Sequence, residues 1–308
     1  MNLVINTWGA FLQKNGELFR VKTEDRVAEI SARKVSSIII ATAATITTDA
    51  LKLAIENNID IVFVDEYGEP YARIWHSRFG STTEIRRRQL GIAEADAGLE
   101  LALAWVRRKL DNQIALLERL RTTRTRKSAE ITTYIEKLRN CRQSLEGITG
   151  TVEERRGTIM GIKFEGRSRN PAKDEFNALL NYAYGILYSR VERACVIAGL
   201  DPYVGILHTD NYNKKSLVFD IIENYRVWAE EVVVNLFAAR KVLKEYFDPL
   251  HNGMLLNKEG RAVLIGAFTR FLDEPVRYAG RNIRRQDIIQ LDCHKIASQL
   301  LGREDESD

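Results

Sequence analysis

Cysteine is scarce. The chain of 308 residues has three, Cys141, Cys195 and Cys293. They are too few and too far apart for a disulfide framework or a zinc site, so each is expected to pack as a small reduced hydrophobe, as suits the cytoplasm. No uninterrupted apolar run approaches the about 20 residues needed to cross a bilayer. The N-terminal MNLVINTWGAFLQKNGE lacks the basic start and long apolar stretch of a signal peptide. A cytoplasmic protein with no membrane partner is therefore expected. Charge of one sign is not in large excess either: the net charge is +4, so electrostatic recognition must come from local clusters. Histidine occurs only four times. What remains, 45% hydrophobic and 29% charged, is the composition of an ordinary globular protein long enough for two domains.

Residues 1–75 alternate apolar and polar between frequent turn signals. Asn15-Gly16 predicts a hairpin, VSSIIIAT and IDIVFVDEYGEPYARIW predict further strands with Gly68-Glu69-Pro70 as a turn, and TTDALKLAIENN predicts one helix capped by Thr48 or Asp49. From about residue 84 the spacing becomes helical. Leu99, Leu103, Val106, Leu110, Ile114, Leu117 and Leu120 form one apolar stripe, and Ile131, Ile135, Leu138, Cys141 and Leu145 another. LRTTRTRKSAE would be the polar tip between them. Asp174 is placed to cap a helix closed by Gly199, and a single helix is expected from Ser216 through Tyr225 and Trp228 to Leu236. The fold class read from this is α+β: a small β-rich domain, sandwich-like, over residues 1–80, then a larger all-α domain over residues 81–308. Their boundary is expected within residues 77–88, and the acidic end REDESD is expected to fray.

GILHTDNYNKKSLVFDIIENYR, residues 205–226, sets one of the rare histidines, His208, before Asp220 and Glu223. LDPYVGILH reads as a turn and a brief extended segment. The two acids, at i and i+3, would emerge at the margin of the core beside Ile221 and Tyr225. Glu192, on the preceding helix, shares a strip with Asn181, Gly185 and Tyr188; Gly185 leaves room there for another backbone or a nucleic-acid strand. Two carboxylates and an imidazole suit Mg²⁺ or Mn²⁺. The same residue types also suit a hydrogen-bonded structural histidine and a solvated acidic helix face. His251 and His294 have no ligand-type partners at recognisable spacing, and His76, at the expected domain junction, reads as a structural residue.

DEFNALLNYAYGILYSRVERACVIAGLDPYVGILH, followed by LVFDIIENYR, resembles the core of the CRISPR-associated integrase and endonuclease family, the universal adaptation nuclease of spacer acquisition. The resemblance rests on Asn177–Leu180, Glu192, Gly199 with Pro202, Gly205 with His208, and Asp220 with Glu223 and Arg226, about fifty residues in order. It implies that Glu192, His208 and Glu223 ligate a catalytic divalent metal, with Asp220 as an alternate ligand or an orienter. The family's Gly-x-Glu-Gly stretch is replaced here by GITGTVEERRGTIMGIKF, so Glu153 and Glu154 are given no role.

Basic residues cluster at Arg86–Arg88, in WVRRKL and ERLRTTRTRK, and at Arg277, Arg281, Arg284 and Arg285, as phosphate contacts require. Arg167, Arg169 and Lys173 are best placed to hold a strand near the metal, and Tyr188 could stack on a base. The resemblance further implies double-stranded DNA (protospacer and CRISPR repeat) as partner, a homodimer through the β-rich domain, and a small ferredoxin-like adaptation protein between two such dimers. Two competing readings are a non-catalytic DNA-binding scaffold and a transposase of related fold. The latter would be expected to carry a further DNA-recognition domain, for which nothing after residue 302 leaves room.

Overall fold

The computed structural model describes residues 1–75, 83–161, 171–208 and 214–303. The first part contains strands β1 (Asn2–Ile5), β2 (Ala10–Asn15), β3 (Leu18–Lys22), β4 (Val27–Ser31), β5 (Ser37–Ile40) and β6 (Ala44–Ile46), helix α1 (Thr48–Glu56), then β7 (Asp60–Val64) and β8 (Pro70–Ile74). They make two four-stranded sheets, ordered β1-β5-β7-β8 and β4-β3-β2-β6. The expected hairpin forms: β2 and β3 pair antiparallel with Asn15 opposite Leu18. Leu12 and Phe19 from one sheet, Ile38, Ile40 and Ile61 from the other, and Leu53 of α1 share one core, which makes the pair of sheets a sandwich. β5 is buried along its whole length. Ile39 joins a separate cluster with Ala41, Val62 and Val64, as expected for a parallel strand covered on both faces. The cap of α1 is Thr47, one residue before the expected Thr48 or Asp49. Its backbone is still extended, and its hydroxyl accepts from the amide of Ala50 at 3.3 Å.

The rest is mainly helical: α2 (Thr83–Ala93), α3 (Asp96–Thr123), α4 (Ser128–Ser144), α5 (Val152–Gly161), α6 (Glu175–Ala198), α7 (Ser216–Ile222), α8 (Arg226–Ala238), α9 (Lys258–Asp273) and α10 (Arg285–Leu300). It is not all helix, however. The hairpins β9 (Phe247–Leu250) with β10 (Gly253–Leu256) and β11 (Pro275–Tyr278) with β12 (Arg281–Arg284) interrupt it. No helix among the described residues is long and apolar enough to cross a membrane. Leu99, Leu103, Val106 and Leu110 are buried along α3, and Leu116 takes the core position that the stripe assigned to Leu117. On α4, Ile135 and Leu138 are buried while Ile131 and Cys141 are half-buried. Asp174 caps α6 as expected, accepting from the amide of Asn177 at 2.7 Å. On α5, Thr151 and Glu154 cap each other's amides, so Glu154 is engaged locally.

The single helix expected from Ser216 is broken in two. Between α7 and α8 the amides of Asn224 and Tyr225 bond three residues back, to Ile221 and Ile222, and the Asn224 side chain donates to the same Ile221 carbonyl at 3.1 Å. An asparagine that takes a backbone acceptor in this way competes with the helical ladder.

By internal contacts the chain divides into two compact units, each assembled from separate stretches. One comprises Met1–Phe79, Ser168–Ser189 and Val232–Arg285; the other comprises Gly80–Arg167, Arg190–Glu231 and Gln286–Asp308. In the first unit, the turn between β7 and β8 is seated on α6. A Cβ on Gly185 would lie 2.2 Å from the carbonyl oxygen of Gly68, so the space left on this strip is filled by backbone. Arg73 of β8 pairs with the buried Asp60 of β7 and donates to the carbonyl and hydroxyl of Ser189, both at 2.9 Å. In the second unit, Cys195 and Cys293 are fully buried in mutual contact; hydrogen bonding to Cys195 and burial push the Cys293 thiol well above its ordinary range.

Candidate active site

All four candidate site residues lie in the second compact unit. His208 is not carried by an extended segment. The run after Gly199 forms a turn and bends, and its amides point at one carboxylate. Asp220 Oδ2 accepts from the backbone N–H of Ile206 at 2.7 Å and of Leu207 at 2.9 Å, and Oδ1 accepts from that of His208 at 3.0 Å. Oδ1 also lies 2.5 Å from Nδ1 of the His208 ring. The doubling back is tight enough that a Cβ on Gly205 would meet the His208 carbonyl oxygen at 2.4 Å and Ser216 Cβ at 2.5 Å, which explains the glycine. Asp220 thus has 0% side-chain exposure and both oxygens engaged, the position of an orienter. An ionised carboxylate can only accept, so Nδ1 is the donor in this contact, and in the neutral ring Nε2 would be the nitrogen left to accept or to ligate.

The two glutamates are held by cations. Glu223, at the end of α7, is 8% exposed, deeper than the expected core margin; Lys109 of α3 reaches its Oε2 at 2.5 Å and Arg226 its Oε1 at 3.0 Å. Burial alone would raise the Glu223 pKa. The charges of Arg226 and Lys109, a hydrogen bond from Lys109 and the nearby His208 outweigh it and hold the carboxyl below the ordinary range. Glu192, on α6 and 10% exposed, receives the ammonium of Lys215 at 2.6 Å.

Among the described residues, no three histidine, cysteine or acidic side chains lie close enough together to hold a metal ion. The donor chemistry nevertheless fits one. Two buried carboxylates demand positive charge, Lys215, Lys109 and Arg226 now supply it, and the oriented His208 lies near enough to Glu223 for its charge to act there. Lys109 and Lys215 were not legible as partners, because their pairing with the acids is set by tertiary packing; the Glu223–Arg226 pair was readable from its i, i+3 spacing.

Arg167 and Arg169 lie outside the described residues, as do His76, the boundary segment to residue 82 and the tail from residue 304. Lys173, exposed, and Tyr188, half-buried on α6, belong to the first unit. Among the basic clusters, Arg285 turns inward over the Phe271 ring, 3.9 Å from its centroid, and pairs with Glu274. Arg108 pairs with Asp292, Arg119 with Glu231 and Lys127 with Glu130. Arg121, Arg124 and Arg126, around the tip joining α3 to α4, have no acidic partner among the described residues.

A family model described as CRISPR associated protein Cas1 matches residues 3–270, a span that includes all four candidate residues. The chain belongs to the Cas1 family. Among the curated Cas1 proteins, the CRISPR-associated endonuclease Cas1 1 of Archaeoglobus fulgidus is 29% identical, over 98% of this chain and 97% of the relative. Among solved structures, a casposase bound to an integration product superposes with a TM-score of 0.82 at 20% identity, covering 100% of this chain and 92% of the casposase. A chain of a Cas6-RT-Cas1–Cas2 complex gives 0.76 at 17% identity, covering 100% of this chain and 35% of that one. Cas1 membership makes the protein a DNA-binding enzyme of the nuclease and integrase type, acting in CRISPR adaptation.

Proposed function

We propose that the protein is a metal-dependent integrase that inserts spacers into a CRISPR array, a 3′-hydroxyl of protospacer DNA attacking a phosphodiester of the repeat. The observation that supports this reading is that Glu192, Glu223 and an imidazole fixed by Asp220 belong to one compact unit, both glutamates buried against cations. Glu192, His208 and Glu223 would hold Mg²⁺ or Mn²⁺. When bound, the ion would supply Lewis acidity, making a hydroxyl nucleophilic and neutralising charge on a phosphoryl oxygen. The chain's own residues do the rest. Asp220 keeps the Nδ1 proton of His208 in place, and Arg226 and Lys109 keep Glu223 ionised. The arginines around the α3–α4 tip, with Lys173, Arg167 and Arg169, would grip phosphates, and Tyr188 would meet a base.

Attack by water instead of the sugar hydroxyl would give endonuclease activity at the same site. The residue 1–80 region is read as the dimerisation domain of a cytoplasmic homodimer and residues 81–308 as the catalytic domain. Two dimers would flank a dimer of a small ferredoxin-like adaptation partner, a reading supported by the likeness to a chain of a Cas6-RT-Cas1–Cas2 complex.

A strand-transfer assay tests the proposal. Wild type should join DNA with Mn²⁺, and Glu192→Ala should bind DNA without joining it. Equal joining by both would refute the metal-site assignment. Binding without joining by wild type itself would favour the scaffold reading.

A further inference from the structure

Glu192 already holds a cation, and the way it does so differs from Glu223. Lys215 is 24% exposed and is the N-cap of α7, with φ −80° and ψ 72°; its carbonyl accepts the first amides of the helix. Lys109, by contrast, comes from the middle of α3, is 15% exposed, and shares Glu223 with Arg226. Lys215 is thus the more exposed of the two lysines, and Glu223 would keep Arg226 if Lys109 moved.

We propose that Lys215 is the stand-in that a divalent cation displaces at Glu192, while Lys109 and Arg226 remain with Glu223 as fixed counter-charges. The inference rests on the metal reading above. A carboxylate buried this far needs a positive partner, and an ammonium in contact with one of its oxygens repels an incoming divalent ion strongly in a medium of low dielectric. Ion loading at Glu192 is then an exchange of one cation for another. The displaced ammonium stays tethered beside the site, where a phosphodiester is its natural new partner. Metal and DNA binding therefore reinforce each other through one side chain, and that coupling must be reciprocal.

The test uses the full-length protein and Mn²⁺ alone. Bound Mn²⁺ is followed by electron paramagnetic resonance, and lysine reactivity by brief acetylation and fragment mass spectrometry, with exposed Lys214 as the adjacent reference. Saturating Mn²⁺ should raise acetylation of Lys215 severalfold relative to Lys214. In Glu192→Gln, Lys215 should react rapidly without metal and show no further response. Lys215→Met should bind Mn²⁺ roughly five- to tenfold more tightly, the low end of the range for coupled sites. Mn²⁺ binding that depends on Glu223, with unchanged Lys215 reactivity and no tightening in Lys215→Met, would overturn the exchange and leave the metal site standing. Equal Mn²⁺ binding by wild type and Glu223→Gln would remove the metal site, and the exchange with it.

Discussion

Asp220 organises His208 from both sides, taking the backbone amide and ring Nδ1 of the same residue on one carboxylate oxygen. Its other oxygen serves two further amides. Asp220→Ala would leave the buried N–H groups of Ile206 and Leu207 and the part-buried N–H of His208 without their acceptor. At about 1–3 kcal/mol for each buried group left unsatisfied, and with partial relaxation of the turn, a loss of about 3–5 kcal/mol is expected in urea denaturation. Asp220→Asn keeps one acceptor and should cost less. If His208 ligates the metal as proposed, strand joining by the Asn variant should still fall about 10–100-fold.

Lys109→Met breaks a buried ion pair. Because Arg226 stays with Glu223, the cost should sit near the low end of the usual range, about 3 kcal/mol, in chemical denaturation. The pH dependence has a definite sign. Glu223 titrates below its ordinary value of 4.5, so the stability it contributes is complete above that value and is lost as pH falls through the lower folded value. Urea midpoints measured downward from neutral pH should fall less steeply in Glu223→Gln. In Lys109→Met, which lets the Glu223 pKa rise, part of the fall should move to higher pH.

Gly185→Ala places a methyl against the backbone of Gly68, which cannot swing aside. A destabilisation of about 1–3 kcal/mol is expected, as for other overpacked sites. A melting temperature equal to wild type would show that the β7–β8 turn is free to lift from α6.

Replacing Arg121, Arg124 and Arg126 together by Gln removes three cations that have no acidic partner among the described residues. If each meets a DNA phosphate, the slope of log K against log salt should become shallower by about 2.7, following the counterion-release relation for duplex DNA. Stability should be unaffected. An unchanged slope would mark these residues as a solvated surface.

The sequence carried much of this. Alternation and turn residues located β2, β3, β5, β7 and β8 but not β4 or β6, the Asp174 cap and Gly199 bounded α6 closely, and one contiguous stretch held Glu192, His208, Asp220 and Glu223. What escaped was tertiary in origin. The break after α7 depends on how the Asn224 side chain is used, and the cradle before His208 depends on a carboxylate folding back over three amides. The pairing of Lys109 with Glu223 joins residues far apart in the chain, which no local pattern reveals. Two cationic positions read as equivalent also diverged: Arg285 packs on Phe271, whereas Arg124 is exposed.

The burial of Cys195 and Cys293 gives the protein a practical asymmetry. Both sulfurs are sealed inside the same compact unit, and only Cys141, on α4, reaches towards water. A maleimide dye added to the native, unsubstituted chain should therefore attach at one place per molecule. That place lies on α4, the helix that follows the arginine-bearing tip, so one fluorophore can be attached there without any engineered thiol.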